Sequence, residues 1–234
     1  MVTTGLFAQN LAGPAQNQPQ NVAQISASGS VDVQQDLLSI SLTTTRDGAD
    51  AAVVQTQLKQ ALDTALGLAK AAQAGSQSGQ IGQIGQMDVR TGNFSLYPRY
   101  GKDGKINGWQ GTTELVLEGK DFSRITTTAG KIQTLSLGIV GFALSREQRA
   151  KVEGDAQTLA IDRFKAKALE VSKSFGFTGY SLREVSINAN DQSSGPRPRA
   201  MAMQAKAEMS DSPVSVEAGK TTVMVNVSGS VQMK

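Results

Sequence analysis

Alternation of apolar and polar positions opens the ordered part of the chain. Ile25, Ala27, Gly29, Val31 and Val33 share one side of an extended segment, and after a polar break Leu38, Ile40 and Leu42 resume the pattern. Two strands joined by a tight turn fit this, and so does one long bulged strand. The period then changes. From Ala49 to Ala74, the residues Val54, Leu58, Ala61, Leu62, Ala65, Leu68 and Ala72 recur at helical spacing. Asp47 or Asp50 is placed to cap this helix, and Gly67 is its one weak point.

Period two returns in Met87–Tyr100, a strand expected to end at Pro98, and in Trp109–Glu118. The turn-rich stretch GKDGKING joins them into a hairpin. Asp121–Lys131 reads as a short helix with Phe122, Ile125, Ala129 and Ile132 on its apolar face. Thr134–Leu144 is apolar on both faces, which predicts a central place in a sheet. Ser145 and Gln148 have capping-box spacing at the start of a second long helix, which Gly176 ends. Along it Val152, Ala156, Leu159, Ala160, Arg163, Phe164, Lys167, Ala168, Val171 and Phe175 trace an apolar stripe with charged flanks. Tyr180–Ile187 and a final segment with Val223, Val225, Val227 and Val231 in register complete the set. The order predicts an α+β fold: a largely antiparallel sheet packed against two long helices and one short helix.

Residues 1–23, rich in amides and proline, read as a leader; residues 24–234 read as a single domain. The Gly/Gln-rich stretch 75–86 reads as a loop within it, and Pro196 and Pro198 exclude regular structure around them. Met1–Gly13 has neither Lys nor Arg nor a sustained apolar run, so it is not an intact signal peptide. No apolar stretch is long enough to predict a membrane-spanning helix.

Composition narrows the chemistry. The 234 residues contain no histidine and no cysteine. The commonest metal, thiol and acid–base constellations are thereby removed, and no cofactor is expected. A formal charge of +3 and 5 % aromatics give no reason to expect a nucleic-acid partner. Asp103–Glu114 imitates a calcium loop, but Lys105 stands where an oxygen ligand is required. Glu217–Thr222 imitates the end of a phosphate loop, but Val214 stands where its first glycine belongs. Arg163, Lys165, Lys167 and Lys173 on the last helix read as a solvated face, with lipid headgroups or acidic partners as the other reading. Tyr97, Arg99, Tyr100 and Trp109 gather around the hairpin and form the candidate interface.

Several segments are similar to the SIMPL-domain family: ISASGSVDVQQDLLSISLTTTRDGADAAVVQ, TGNFSLYPRYGKDGKINGWQGTTELVL, LSLGIVGFALSREQRAKVEGDAQTLAIDRFKAKALEVSKSFGF, YSLREVSI and VEAGKTTVMVNVSGSVQM. Their order carries the resemblance, with Gly108 and Trp109 filling the Gly-aromatic step after the hairpin turn. The resemblance implies a protein exported to the envelope of a Gram-negative bacterium, periplasmic or secreted. It also implies homo-oligomerisation, since one relative forms a large ring-like or channel-like assembly. It transfers no catalytic residue. The expected function is therefore that of a non-enzymatic envelope protein that self-associates and makes at most peripheral envelope contact. The alternative is a small-ligand binder or hydrolase working through Ser, Lys and carboxylates.

Overall fold

The computed structural model describes residues 20–74, 87–189 and 214–234. The element order is β1 (Val22–Gln34), β2 (Leu37–Gly48), α1 (Ala51–Ala74), β3 (Asp88–Tyr100), β4 (Ile106–Gly119), α2 (Phe122–Lys131), β5 (Ser136–Ala143), α3 (Arg146–Ser174), β6 (Tyr180–Ala189) and β7 (Lys220–Met233). The fold is the expected α+β arrangement of antiparallel strands with two long helices and one short helix. The Gly/Gln-rich loop, the proline-bearing stretch and most of the leader lie outside the described residues.

The strands form two sheets, ordered β3-β4-β2-β5 and β1-β7-β6. β1 and β2 therefore do not make a hairpin. The break falls at Gln35 and Asp36, whose successive backbone N–H groups go to different carbonyls, Gln35 to Gly219 at 3.0 Å and Asp36 to Ala143 at 3.1 Å. The chain divides into two compact units, each drawn from separate stretches: Met1–Ser30, Asp155–Asn190 and Met224–Lys234 in one, Val31–Gly154 and Asp191–Val223 in the other.

The larger unit holds the four-stranded sheet. Leu38, Ile40 and Leu42 of β2 and Leu115 and Leu117 of β4 are fully buried on one face. Ala61, Ala65 and Ala69 of α1 and Ile125 and Ala129 of α2 cover them. Asp50, not Asp47, caps α1, its carboxylate accepting from the N–H groups of Ala52 and Val53 at 2.7 and 3.1 Å. The buried face of α1 follows its alanines, so Ala69 is inside and Leu68 is largely exposed. β3 continues through Pro98 because it is an edge strand, where a residue without an N–H is tolerated.

β5 corrects the sequence reading. It is an edge strand, not a central one. Leu137 and Phe142 pair with Leu42 and Leu38 of β2, so its apolar residues on that face extend the inner surface of the sheet. Ile139 sits where the register slips, its N–H donating to the Ser41 hydroxyl at 2.8 Å. An apolar residue at a bulge on an open edge reads, in sequence, like a residue of a strand buried on both faces.

In the smaller unit the three-stranded sheet packs against α3. Its buried helix residues, Ala156, Ala160, Phe164, Ala168 and Ser172, recur every fourth position. Such a row runs at about 26° to the helix axis. It brings small residues onto Gly29 of β1. A Cβ at Gly29 would stand 2.2 Å from the Ala156 carbonyl oxygen and 2.6 Å from the Ala160 nitrogen. α3 ends as expected at Gly176, with φ of 81°. Gly176 N–H reaches Lys173 O, and Phe177 N–H reaches Ser172 O, both at 3.0 Å.

Two substitutions test this packing. Gly29→Ala should destabilise the protein by about 2 kcal/mol, because the obstacle is helix backbone and cannot rotate away. Thr113 is fully buried, and its hydroxyl has no partner among the described residues. Thr113→Val should therefore raise stability by about 1 kcal/mol. Urea denaturation measures both, and the two changes should have opposite signs.

Candidate functional site

The four residues singled out at the hairpin separate onto the two faces of the sheet. Trp109 lies opposite Pro98 on one side and Gly48 on the other, on the face that carries Leu115 and Leu117 further along β4. It is half-buried. Tyr97 and Arg99 lie opposite Gln110 and Gly108, on the other face. Tyr97 is 62 % exposed, and Tyr100, opposite Ile106, is 64 % exposed. Arg99 meets Asp47 at 3.4 Å, with both side chains about half in solvent. The turn is closed by hydrogen bonds from Gly101 N–H to Lys105 O at 2.8 Å and from Gly104 N–H to Gly101 O at 3.0 Å. Gly104 takes a φ of 74°, which only glycine adopts without strain.

The residues that imitate a calcium loop build this turn instead. Asp103 accepts from the Lys105 N–H at 3.3 Å, whereas Glu114 accepts from the Asn93 N–H at 3.2 Å. The two carboxylates serve different backbone segments. Among the described residues no group of three or more acidic side chains converges as a metal site would. The stretch that imitates a phosphate loop leads into β7, not into a helix. Its Thr222 hydroxyl donates to Asp32 at 2.6 Å.

One place brings together Ser, Lys and carboxylates. Asp36 accepts from the Ser145 N–H at 2.7 Å and from the Ser145 hydroxyl at 2.6 Å. Lys120 stands 3.7 Å from Asp36 and 3.1 Å from Glu147. The Ser145 hydroxyl also accepts from the Gln148 N–H at 3.3 Å. Half of the expected capping box is therefore present, but Asp36 from the β1–β2 break, not the Gln148 side chain, takes the Ser145 N–H. Its hydrogen bond to Glu147 raises the Lys120 ammonium above the ordinary lysine range, against some desolvation and with smaller help from Asp36. A lysine acting as general base needs the opposite shift. Ser145 is buried and its hydroxyl proton is already committed. This cluster pins the start of α3 to the β1–β2 break.

Sequence reasoning missed two roles in the last long helix. Arg163 donates to the Ser28 carbonyl at 2.8 Å and Lys167 to the Ser26 carbonyl at 3.1 Å. These cations do not simply form a solvated face. They supply donors to backbone carbonyls of β1, an edge strand of its sheet. The residues show no motif for this, because the contact joins positions 135 and 141 apart in the chain.

The other edges differ. β6 carries Leu182, Val185 and Ile187 opposite Val231, Gly229 and Val227 of β7. The valines are buried, while the three β6 side chains are largely exposed. β5 exposes Leu137 by 40 % and Ile139 by 57 %, and Ser136–Ala143 contains neither charge nor proline. Among the described residues no helix is long and apolar enough to cross a membrane.

A family model matches residues 23–231, which takes in all ten elements of the fold except the first residue of β1 and the last residues of β7. The chain belongs to the SIMPL family, described as proteins of unknown function (DUF541). A search of curated proteins finds no match.

Asp36→Ala should leave the Ser145 N–H and hydroxyl buried without partners, a loss of about 2 kcal/mol in urea denaturation. The cluster should also respond to acid. Its hydrogen bond to Lys120 holds the Glu147 carboxyl below the usual glutamate range, helped by its own backbone N–H and by Ser145. Its contribution is present near neutral pH and disappears as pH falls through the folded-state titration of Glu147. Glu147→Gln should flatten that part of the acid limb and leave the neutral plateau nearly unchanged, because the group is exposed.

Proposed function

We propose that this protein is a non-enzymatic, exported envelope protein that self-associates through open strand edges, in the periplasm or outside a Gram-negative cell. Family membership supports the class, and the β5 edge is the single observation that carries the mode of assembly. Natural edge strands are guarded by charge, proline or a covering element. β5 has neither charge nor proline and holds Leu137 and Ile139 in solvent. β6 offers a second edge with three exposed apolar residues. A copy of the same chain added to such an edge satisfies its backbone groups and covers its apolar side chains together. Closed symmetry then limits growth to an assembly of fixed size. The terminal strand β7 lies in the middle of its sheet, so it is not the edge that pairs.

Light scattering coupled to size exclusion should give a multiple of the 24.6 kDa chain mass. Ile139→Lys places a charge on the β5 edge and should shift that mass toward the single chain while thermal melting is retained. A wild-type mass equal to one chain at every concentration would contradict self-association. A large assembly unaffected by Ile139→Lys and by Ile187→Lys would contradict the edges as its contacts. Fractionation of cells carrying the full gene should recover the protein outside the cytoplasm; recovery with cytoplasmic markers alone would refute the location.

A further inference from the structure

The end of the β3–β4 hairpin carries a surface that strand-edge assembly does not use. Tyr97, Tyr100 and Ile106 are each more than half exposed within one turn of the hairpin. Arg99, Lys102 and Lys105 stand among them against a single carboxylate in the same stretch, Asp103. Asp103 is turned back on its own loop, where it accepts from the Lys105 N–H. Arg99 is shared with Asp47, but no ion pair among the described residues engages Lys102 or Lys105. The tip is held in shape by the two backbone bonds across Gly101–Lys105, so it presents these groups together rather than as a floppy loop.

Tyrosine has an apolar ring and a polar end, which suits the boundary between hydrocarbon and headgroups. Lysine and arginine lay their stems along apolar surface and keep their charge outward. Cations interleaved with exposed tyrosines on one turn therefore match a surface that is apolar below and negative above. Two copies meeting through this tip would bring like charges together, which disfavours a subunit contact. We propose that the β3–β4 hairpin tip docks on an anionic phospholipid bilayer, with Tyr97, Tyr100 and Ile106 at headgroup depth and Lys102, Lys105 and Arg99 against the lipid phosphates. The docking is peripheral and reversible. It does not depend on assembly, although an oligomer would multiply it by presenting several tips to one membrane.

Flotation of the full chain with vesicles of phosphatidylglycerol and phosphatidylethanolamine, beside vesicles of phosphatidylcholine, tests it. The protein should float with the anionic vesicles only and be released by high salt, since screening shortens the reach of these charges. Lys102→Gln with Lys105→Gln should weaken binding by about fivefold for each lysine. Tyr97→Ser with Tyr100→Ser should weaken it at every salt concentration low enough for the unaltered protein to bind. Circular dichroism melts confirm that both variants fold, as expected for exposed side chains. Equal binding to phosphatidylcholine, no binding to the anionic vesicles, or unchanged binding by the lysine variant would overturn the proposal. Inhibition by glycerol phosphate at the concentration of accessible lipid would reassign the site to a free phosphate. A fall in assembly mass for the tyrosine variant would make the tip a subunit contact, and the proposal would fail while self-association stood.

Discussion

Every strand at the border of a sheet leaves backbone N–H and C=O groups facing outward, and these groups must find partners or water. The organisation of this chain follows from how each of its edges meets that demand. β1 is supplied by α3, through Arg163 at Ser28 and Lys167 at Ser26. β3 carries Pro98, two register slips against β4, and the exposed pair of Arg90 with Glu118 at 3.8 Å. β5 and β6 have register slips of their own, yet they leave apolar side chains in solvent. The functional reading is a consequence of that difference, because a second chain is the ordinary partner for an unguarded strand.

The guarding of β1 depends in turn on how closely α3 lies to it. Gly29 removes the side chain that would hold the helix away, and Ala156 and Ala160 present almost bare backbone to it. At that distance the long side chains of Arg163 and Lys167 reach carbonyls of the strand. The two effects are linked: a larger residue at position 29 would disturb packing and draw the donors off the edge. At the other end of the helix, Asp36 and Lys120 fix the first turn. α3 is thus positioned at its start by charge-assisted hydrogen bonds and along its length by small residues.

Much of this could be read from the chain because the signals were local. Ser145, Asp50 and Gly176 act within a turn of themselves, and the alternation of Leu38, Ile40 and Leu42 reports one buried face. What failed depended on distant partners. The apolar run of β5 predicts a central strand, since sequence does not show which side of it lacks a neighbour. Leu68 and Phe175 fit a helical stripe but fall beyond the surface their helices cover. Nothing local to Asp36 shows that it accepts from Ser145, the residue before α3 and 109 positions later. The hairpin aromatics are neighbours in sequence, but pairing in β4 sets Trp109 and Tyr97 on opposite faces.

Hydrogen–deuterium exchange, at a concentration where the proposed assembly would form, tests the edge account most directly. The account predicts slow exchange at the β5 and β6 amides that point away from β2 and β7, as slow as at interior strand β4. Dissociating the assembly by dilution should speed those amides while β4 is unchanged. Rapid exchange along both outward rows in the intact assembly would contradict it.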